Sequence, residues 1–142
     1  MKRVAVILSG CGVLDGAEIH ESVLTLLALD RAGAEAVCLA PDAPQQKVTN
    51  HRTGEDVPEA RNILAESARI ARGRIQDLAQ ADPGEYDGAI VPGGYGALVN
   101  LSDFGVRQTD CAVLPGVERF LRGMLERGRP VGALCIAPVL VA

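Results

Sequence analysis

The residues with the clearest chemical potential are Cys135 and its neighbours, Gly132-Ala133-Leu134-Cys135-Ile136-Ala137-Pro138. An apolar strand from Val131 to Leu134 runs straight into the cysteine. Small residues and a proline come next, in a pattern that suits a helix start. A tight strand-to-helix turn of this kind lifts one side chain above a sheet, the layout of a nucleophile elbow. A cysteine near a helix N-terminus meets backbone N–H groups and a helix dipole that favour the thiolate. The alternative is a buried cysteine chosen for its size at a tight junction.

Glu21 is the second candidate. Glu18 is explained by helix capping, but Glu21 lies beyond the first turn, just before the apolar run Val23-Leu24-Thr25-Leu26-Leu27-Ala28-Leu29. A carboxyl entering a buried helix costs free energy unless it is hydrogen-bonded or protonated. Such a group suits a reaction that needs one residue both to take and to give a proton. The alternative is a solvent-exposed helix glutamate. Gly93 and Gly94 come after another strand. They offer either close backbone approach, with N–H groups facing an oxyanion, or an ordinary strand-to-helix turn.

Other chemistries find less support. The Gly10-Cys11-Gly12 turn is followed next by Gly16, which misses the dinucleotide spacing, and Asp42 sits after a proline beyond its strand. No cofactor is expected. His20 and His51 are the only histidines, and Ile136 rather than histidine follows Cys135. A cysteine protease or amidase is therefore weakly supported. No His/Cys/Asp cluster has the spacing of a metal site, so no metal is expected.

The elements that position these residues read as alternating strands and helices. Val4 to Leu8 is a buried strand, ended by Ser9-Gly10. Asp15 with Glu18 fits a capping box for a largely buried helix that runs to about Ala32 and stops at Gly33. Ala34 to Ala40 is a second strand, broken by Pro41-Asp42-Ala43-Pro44. Residues 45–57 are polar, irregular or in short strands. Asp56 and Glu59 around Pro58 suit a helix start, and Ile63, Leu64, Ala68, Ile70 and Ala71 give an amphipathic helix ending at Gly73. Ile75 to Ala79 is a short strand or loop, and Gly88 to Val91 a strand. Val117, Phe120, Leu121, Met124 and Leu125 have helical spacing, with Gly128 as the stop. This alternation predicts a parallel sheet covered on both faces, with ligands beyond the carboxyl ends of the strands.

With 142 residues and 48% apolar content, the chain is expected to form one domain with one core. Aromatics are 3%, so Ala, Val, Leu and Ile must fill that core. A net charge of −4 does not suggest nucleic acid or an anionic membrane as partner. Arg61, Arg69, Arg72 and Arg74 are mixed with Glu66 and read as a solvated helix face. Cys11, Cys38, Cys111 and Cys135 are widely spaced, which predicts reduced thiols and a cytoplasmic protein. The short run after Met1-Lys2-Arg3 reads as a first strand rather than a signal peptide. The apolar tail Val131–Ala142 is too short to span a bilayer.

Taken together, the chain resembles the PfpI/ThiJ-like superfamily, relatives of class I glutamine amidotransferases. Within it, the chain is similar to the ElbB group, the "enhancing lycopene biosynthesis" or isoprenoid-biosynthesis glyoxalases. The stretches that carry the likeness are Val6-Ile7-Leu8-Ser9-Gly10-Cys11-Gly12-Val13 with Asp15-Gly16 and Glu18-Ile19-His20-Glu21; Ala36-Val37-Cys38 with Ala40-Pro41-Asp42; Asn50-His51 with Thr53-Gly54-Glu55; Leu78-Ala79-Gln80-Ala81-Asp82; Ile90-Val91-Pro92-Gly93-Gly94 with Gly96-Ala97; and Cys135-Ile136-Ala137-Pro138. The resemblance implies an α/β flavodoxin-like three-layer sandwich with a mainly parallel sheet. It implies a nucleophilic cysteine at Cys135, a partly protonated glutamate at Glu21, and oxyanion-holding backbone N–H groups near Gly93, Gly94 and Ile136.

The activity it implies is a glutathione-independent glyoxalase, a lyase acting on a small 2-oxoaldehyde without metal or cofactor, in a homodimer. A redox-sensing or protein-binding module, or a cysteine amidase or protease drawing on His20 or His51, are the alternatives. The likeness covers essentially the whole chain but corresponds to the N-terminal two-thirds of a family member. A single domain over residues 1–142, incomplete at its C-terminus and exposing apolar surface along Val131–Ala142, is therefore expected.

Overall fold

The computed structural model describes residues 1–142. In chain order the elements are β1 (Arg3–Ile7), α1 (Ile19–Arg31), β2 (Glu35–Ala40), β3 (Val48–Asn50), β4 (Glu55–Val57), α2 (Ile63–Ala71), β5 (Ile75–Asp77), β6 (Gly88–Val91), α3 (Gly96–Val99), α4 (Phe104–Arg107), α5 (Pro115–Glu126) and β7 (Val131–Ala133). Single 3₁₀ turns lie between some of them, the last over Ala137–Leu140. The sheet is five-stranded and parallel, in the order β5-β2-β1-β6-β7. β3 and β4 form a separate antiparallel hairpin. No helix is long and apolar enough to cross a membrane.

β1 sits at the centre because it is apolar on both faces: Ala5, Val6, Ile7 and the following Leu8 are all fully buried. Side chains alternate across a strand, so neighbouring residues feed two different cores. Ala5 and Ile7 join Leu39, Ala89 and Val91 in a cluster of 16 buried residues under α5. Val6 and Leu8 join Cys38, Ala40 and Ile63 in a smaller cluster, against which Leu26 and Leu29 of α1 pack. The mainly parallel, doubly covered α/β sheet is the one expected. α5 uses the predicted stripe, with Val117, Phe120, Leu121 and Met124 buried, whereas Leu125 is exposed. The Phe120 ring meets Tyr86 edge-on at 5.5 Å between centroids.

Three local expectations are corrected. The N-cap of α1 is Glu18, not Asp15: the Glu18 carboxylate accepts the Glu21 N–H at 2.6 Å. Asp15 is buried and accepts the Thr49 N–H at 2.8 Å. α1 is also not largely buried. Only Ser22 and Thr25 are buried, while Ile19, Val23, Leu24 and Leu27 face outward. α2 starts at Ile63, five residues beyond Pro58, because Asn62 accepts the Ala65 N–H at 2.9 Å and so caps it, and Asp56 belongs to β4. The Arg61 and Arg69 guanidinium groups pair with Glu59 and Glu66 on an exposed face, as the mixed charges suggested.

One acidic residue ties three segments together. Asp87 accepts the Arg3 N–H at 3.0 Å and pairs with Lys2 at 3.1 Å and Arg129 at 3.5 Å. The Arg3 N–H, then the Lys2 ammonium, hold its carboxyl below the usual carboxylate range.

This packing leads to two stability outcomes. Phe120→Ala, which empties the centre of the larger core, should cost about 3–5 kcal/mol in denaturant unfolding. An undiminished midpoint would show that α5 does not pack as described. Asp87→Asn should destabilise the protein at neutral pH. A depressed carboxyl contributes stability above its unfolded value of about 3.9 and loses it as pH falls through the folded value. The gap between wild type and variant should therefore close in acid, and a gap constant with pH would refute the carboxylate's role.

Candidate active site

The site is assembled at the carboxyl ends of β1, β6 and β7. β7 ends at Ala133, and Leu134 N–H donates to Val91 O at 3.0 Å. Ala137 N–H returns to Leu134 O at 2.9 Å, closing a tight turn. Cys135 stands at its apex with φ of 54°, in the left-handed region. A non-glycine residue held there is strained by about 1–3 kcal/mol, and such strain gathers where a side chain must be presented. The thiol is free and its residue exposed. The strand-to-turn half of the predicted elbow is thus present. The chain then makes one 3₁₀ turn over Ala137–Leu140.

Glu21 comes from the first turn of α1, not from beyond it as its position after Asp15 suggested, because the helix starts at Ile19. Its Oε2 accepts the Gly93 N–H at 2.8 Å, across 72 residues of chain. This hydrogen bond answers the desolvation that the sequence position implied, and the carboxyl is half-buried rather than embedded. Gly93 is the meeting point. A Cβ placed there would lie 2.6 Å from Cys135 Cβ and 2.7 Å from Glu21 Oε2. The nucleophile candidate and the carboxylate therefore flank the same glycine, and no other residue type fits between them.

Gly94 has a φ of +99°, and a Cβ there would lie 2.6 Å from Glu18 N and collide with Gly16 O. The loop after β1 and the loop after β6 thus touch backbone to backbone. They are joined by Glu18 N–H to Gly93 O at 2.9 Å, Tyr95 N–H to Val13 O at 2.8 Å and Gly96 N–H to Gly16 O at 2.9 Å. The N–H groups of Gly94 and Ile136 donate to no protein acceptor, whereas that of Gly93 is taken by Glu21. Two free backbone donors beside a thiol and a carboxylate can stabilise a developing oxyanion. Val13 and Tyr95 are exposed apolar residues in these loops, and Ile136 is another in the turn after β7.

Neither histidine joins this group. His20 is 89% exposed and lies 3.7 Å from Glu18, and His51 is bonded to the loop after β1 and to its own hairpin. No hydrogen bond or ion pair links either one to Cys135. No three His, Cys, Asp or Glu side chains are grouped to hold a metal. Cys11 and Cys38 are set apart by burial, which pushes both thiols up; at Cys11 the Glu66 carboxylate adds to the effect. Asn100 escaped sequence reasoning. It is buried, and its Nδ2 donates to Ser9 O at 2.8 Å and Asp15 O at 2.9 Å, fixing both ends of the loop after β1. Nothing in its sequence context signals that role.

No protein-family model matches the chain. Human "Glutamine amidotransferase-like class 1 domain-containing protein 3, mitochondrial" is 53% identical over 141 residues, covering 99% of this chain and 53% of that protein. The rat "ES1 protein homolog, mitochondrial" is 54% identical over 141 residues, with the same shares. The chain thus spans about half the length of the curated relatives it matches. Among solved structures, an isoprenoid biosynthesis protein with an amidotransferase-like domain from Ehrlichia chaffeensis superposes with a TM-score of 0.93 and 43% identity, over 98% of this chain and 66% of that one. The two-domain protein from Anabaena variabilis with DJ-1/ThiJ/PfpI-like and ferritin-like domains shares the fold at a TM-score of 0.60 and 21% identity, over 99% of this chain and 31% of that one.

The relatives overturn the expectation of a cytoplasmic protein, since both curated proteins are named mitochondrial. Free thiols report a reducing environment, not which compartment supplies it. The resemblance read from the sequence holds at the level of fold. This chain has the class I glutamine amidotransferase-like, DJ-1/ThiJ/PfpI superfamily fold.

Proposed function

We propose that this chain carries the catalytic centre of an ElbB-type, glutathione-independent glyoxalase acting on small 2-oxoaldehydes such as glyoxal and methylglyoxal. The observation that carries this reading is the placement of Cys135 and Glu21 on either side of Gly93. The solved protein at 43% identity, described as an isoprenoid biosynthesis protein with an amidotransferase-like domain, supports the choice of group.

The chemistry needs only these parts. The Cys135 thiolate adds to the aldehyde carbon, and the new alkoxide takes a proton to give a hemithioacetal. The free N–H groups of Gly94 and Ile136 would hold the oxygen as charge develops. Glu21 then removes the proton from the former aldehyde carbon and returns it to the neighbouring carbon through an enediol, leaving a thioester. Water cleaves the thioester to the 2-hydroxy acid and regenerates the thiol. One carboxyl serves both proton steps, and its anchoring through a single oxygen leaves the other free to reach the substrate.

A redox-sensing module is the second reading, favoured by the exposure of Cys135 as a free thiol.

Glyoxal turnover by the purified protein is the deciding assay. Cys135→Ala should abolish it, and Glu21→Gln should lower kcat by about 10²–10⁴-fold, with folding checked by thermal melting. A folded Cys135→Ala protein that keeps the wild-type rate would remove the mechanism. Peroxide oxidation of Cys135 without any aldehyde turnover would favour the redox reading. Gly93→Ala tests the geometry separately. Its Cβ should force Cys135 and Glu21 apart and suppress turnover, for a stability loss of about 1–3 kcal/mol. Wild-type turnover in that variant would mean the two side chains need not share this contact.

A further inference from the structure

His51 lies outside the Cys135–Glu21 pair, in the turn of the β3–β4 hairpin, and its ring is committed at both nitrogens. Nε2 is 3.1 Å from the Leu14 N–H, which can only donate, so Nε2 presents a lone pair. Nδ1 is 3.1 Å from Thr49 O, which can only accept, so Nδ1 carries the proton. Together these contacts select the neutral Nδ1–H tautomer. The ring also fills the space beside Gly12, where a Cβ would come within 2.5 Å of Nε2. Asp15 Oδ2 accepts the Thr49 N–H at 2.8 Å, and its Oδ1 lies 3.9 Å from His51 Nε2. The hairpin is thus fastened to the loop after β1 at Gly12, Leu14 and Asp15. That same loop bonds to Gly93, Tyr95 and Gly96 on the far side.

We infer that His51 is a positioning residue, whose protonation state controls how firmly the Gly12–Asp15 segment holds the site. The inference rests on the reading of Cys135 and Glu21 as the reacting pair. When Nε2 takes a proton from solvent, its new N–H faces the Leu14 N–H, and that hydrogen bond is lost. The facing acceptor is then Asp15 Oδ1, the one charged group within 4 Å of the ring. The ring turns to Asp15, Leu14 is released, and Val13 loosens its hold on Tyr95 at the rim of the site. The other charged groups around this junction are already engaged. On the hairpin, Asp56 accepts Thr49 Oγ1–H at 2.7 Å and pairs with Lys47 at 3.6 Å. From α2, Glu66 and Arg69 pair with each other and face Cys11 rather than His51. Arg52 and Glu55 belong to the same hairpin and pair with no group in this junction.

The test uses the wild-type protein and one variant. Nitrogen-15 NMR of the imidazole should report the Nδ1–H tautomer at about pH 8, with the Leu14 amide protected from exchange. On acidification from about pH 8 to about pH 5, Leu14 protection should fall about tenfold, the worth of one net hydrogen bond. The rate of Cys135 alkylation by iodoacetamide should show a second inflection over the same interval, besides that of the thiol. His51→Gln offers a carbonyl to the Leu14 N–H but does not titrate. It should keep Leu14 protected throughout and lose the second inflection. An Nε2–H tautomer, Leu14 protection unchanged with pH, or a second inflection that survives in His51→Gln would each overturn the inference. If the variant does not fold, the wild-type tautomer and exchange data still decide. Neither readout depends on aldehyde turnover, so failure of the glyoxalase reading is distinguishable from failure of this one.

Discussion

The structure depends on a steric constraint: the loop after β1 and the loop after β6 meet with no room for side chains between them. A Cβ on Gly94 would collide with Gly16 O, and one on Gly96 would lie 2.6 Å from Gly16 Cα. Three interloop backbone hydrogen bonds lock the contact. Their net worth is about 0.5–1.5 kcal/mol each, so the exclusion of side chains, which forbids any other spacing, decides the geometry. The consequence passes along the chain. The contact places Glu18 N–H on Gly93 O, and Glu18 then caps α1 through the Glu21 N–H. The cap sets the helix direction, and Glu21 emerges where it can reach back to the Gly93 N–H. A backbone packing rule thereby fixes the position of the acid–base candidate.

Cys135 is held by a different and weaker arrangement. β7 has three residues and pairs only with β6, at the edge of the sheet. The residues after the apex keep it at a left-handed φ. Ala137 and Leu140 are buried in the larger core, and Ala137 N–H closes the turn onto Leu134 O. Burial of one leucine side chain is worth about 1.5–3 kcal/mol, the same order as the strain at Cys135. The carboxylate side of the site is therefore over-determined, while the thiol side is balanced between two terms of similar size. Leu134 and Ile136, on either side of the cysteine, are over a third exposed.

How much the sequence disclosed depends on which of these forces are local. The parallel sheet was legible because β1 is apolar at consecutive positions and α5 keeps a clean stripe at Val117, Phe120, Leu121 and Met124. Cys135 was legible because a strand running into a small-residue turn is a local pattern. Glu21 could be singled out by position, but its partner could not: the Gly93 N–H lies 72 residues away. The capping residue is not decided locally, because Asp15 and Glu18 both suit an N-terminus by type. Only the tertiary contact to Thr49 N–H, which draws Asp15 away from the helix, decides between them. Asn100 and His51 were unreadable for the same reason. Each acts by bonding the backbone of a segment distant in sequence, and a single polar residue carries no trace of such a partner.

The orientation of α1 shows the same constraint prevailing over hydrophobic burial. The helix turns Ser22 and Thr25 inward and leaves Ile19, Val23, Leu24 and Leu27 outward. At about 100° per residue, rotating the helix by about half a turn would exchange these faces. Rotation would bury more of these partly exposed side chains, at up to about 1.5–3 kcal/mol apiece, less what Leu26 and Leu29 would lose on leaving the smaller core. It is opposed by the contacts of the present orientation. The charge-assisted bonds from Glu21 N–H to Glu18 and from Gly93 N–H to Glu21 are worth about 1.5–3 kcal/mol each. The deciding factor is shape: Ser22 and Thr25 are small, and their side lets the helix lie close enough to the sheet for Leu26 and Leu29 to reach the core formed by Val6, Leu8 and Cys38. A helix presenting Val23, Leu24 and Leu27 there would stand farther from the sheet and pull Glu18 off Gly93. The carboxylate candidate and the exposed apolar face are therefore two results of one choice of helix rotation, and neither can be altered without the other.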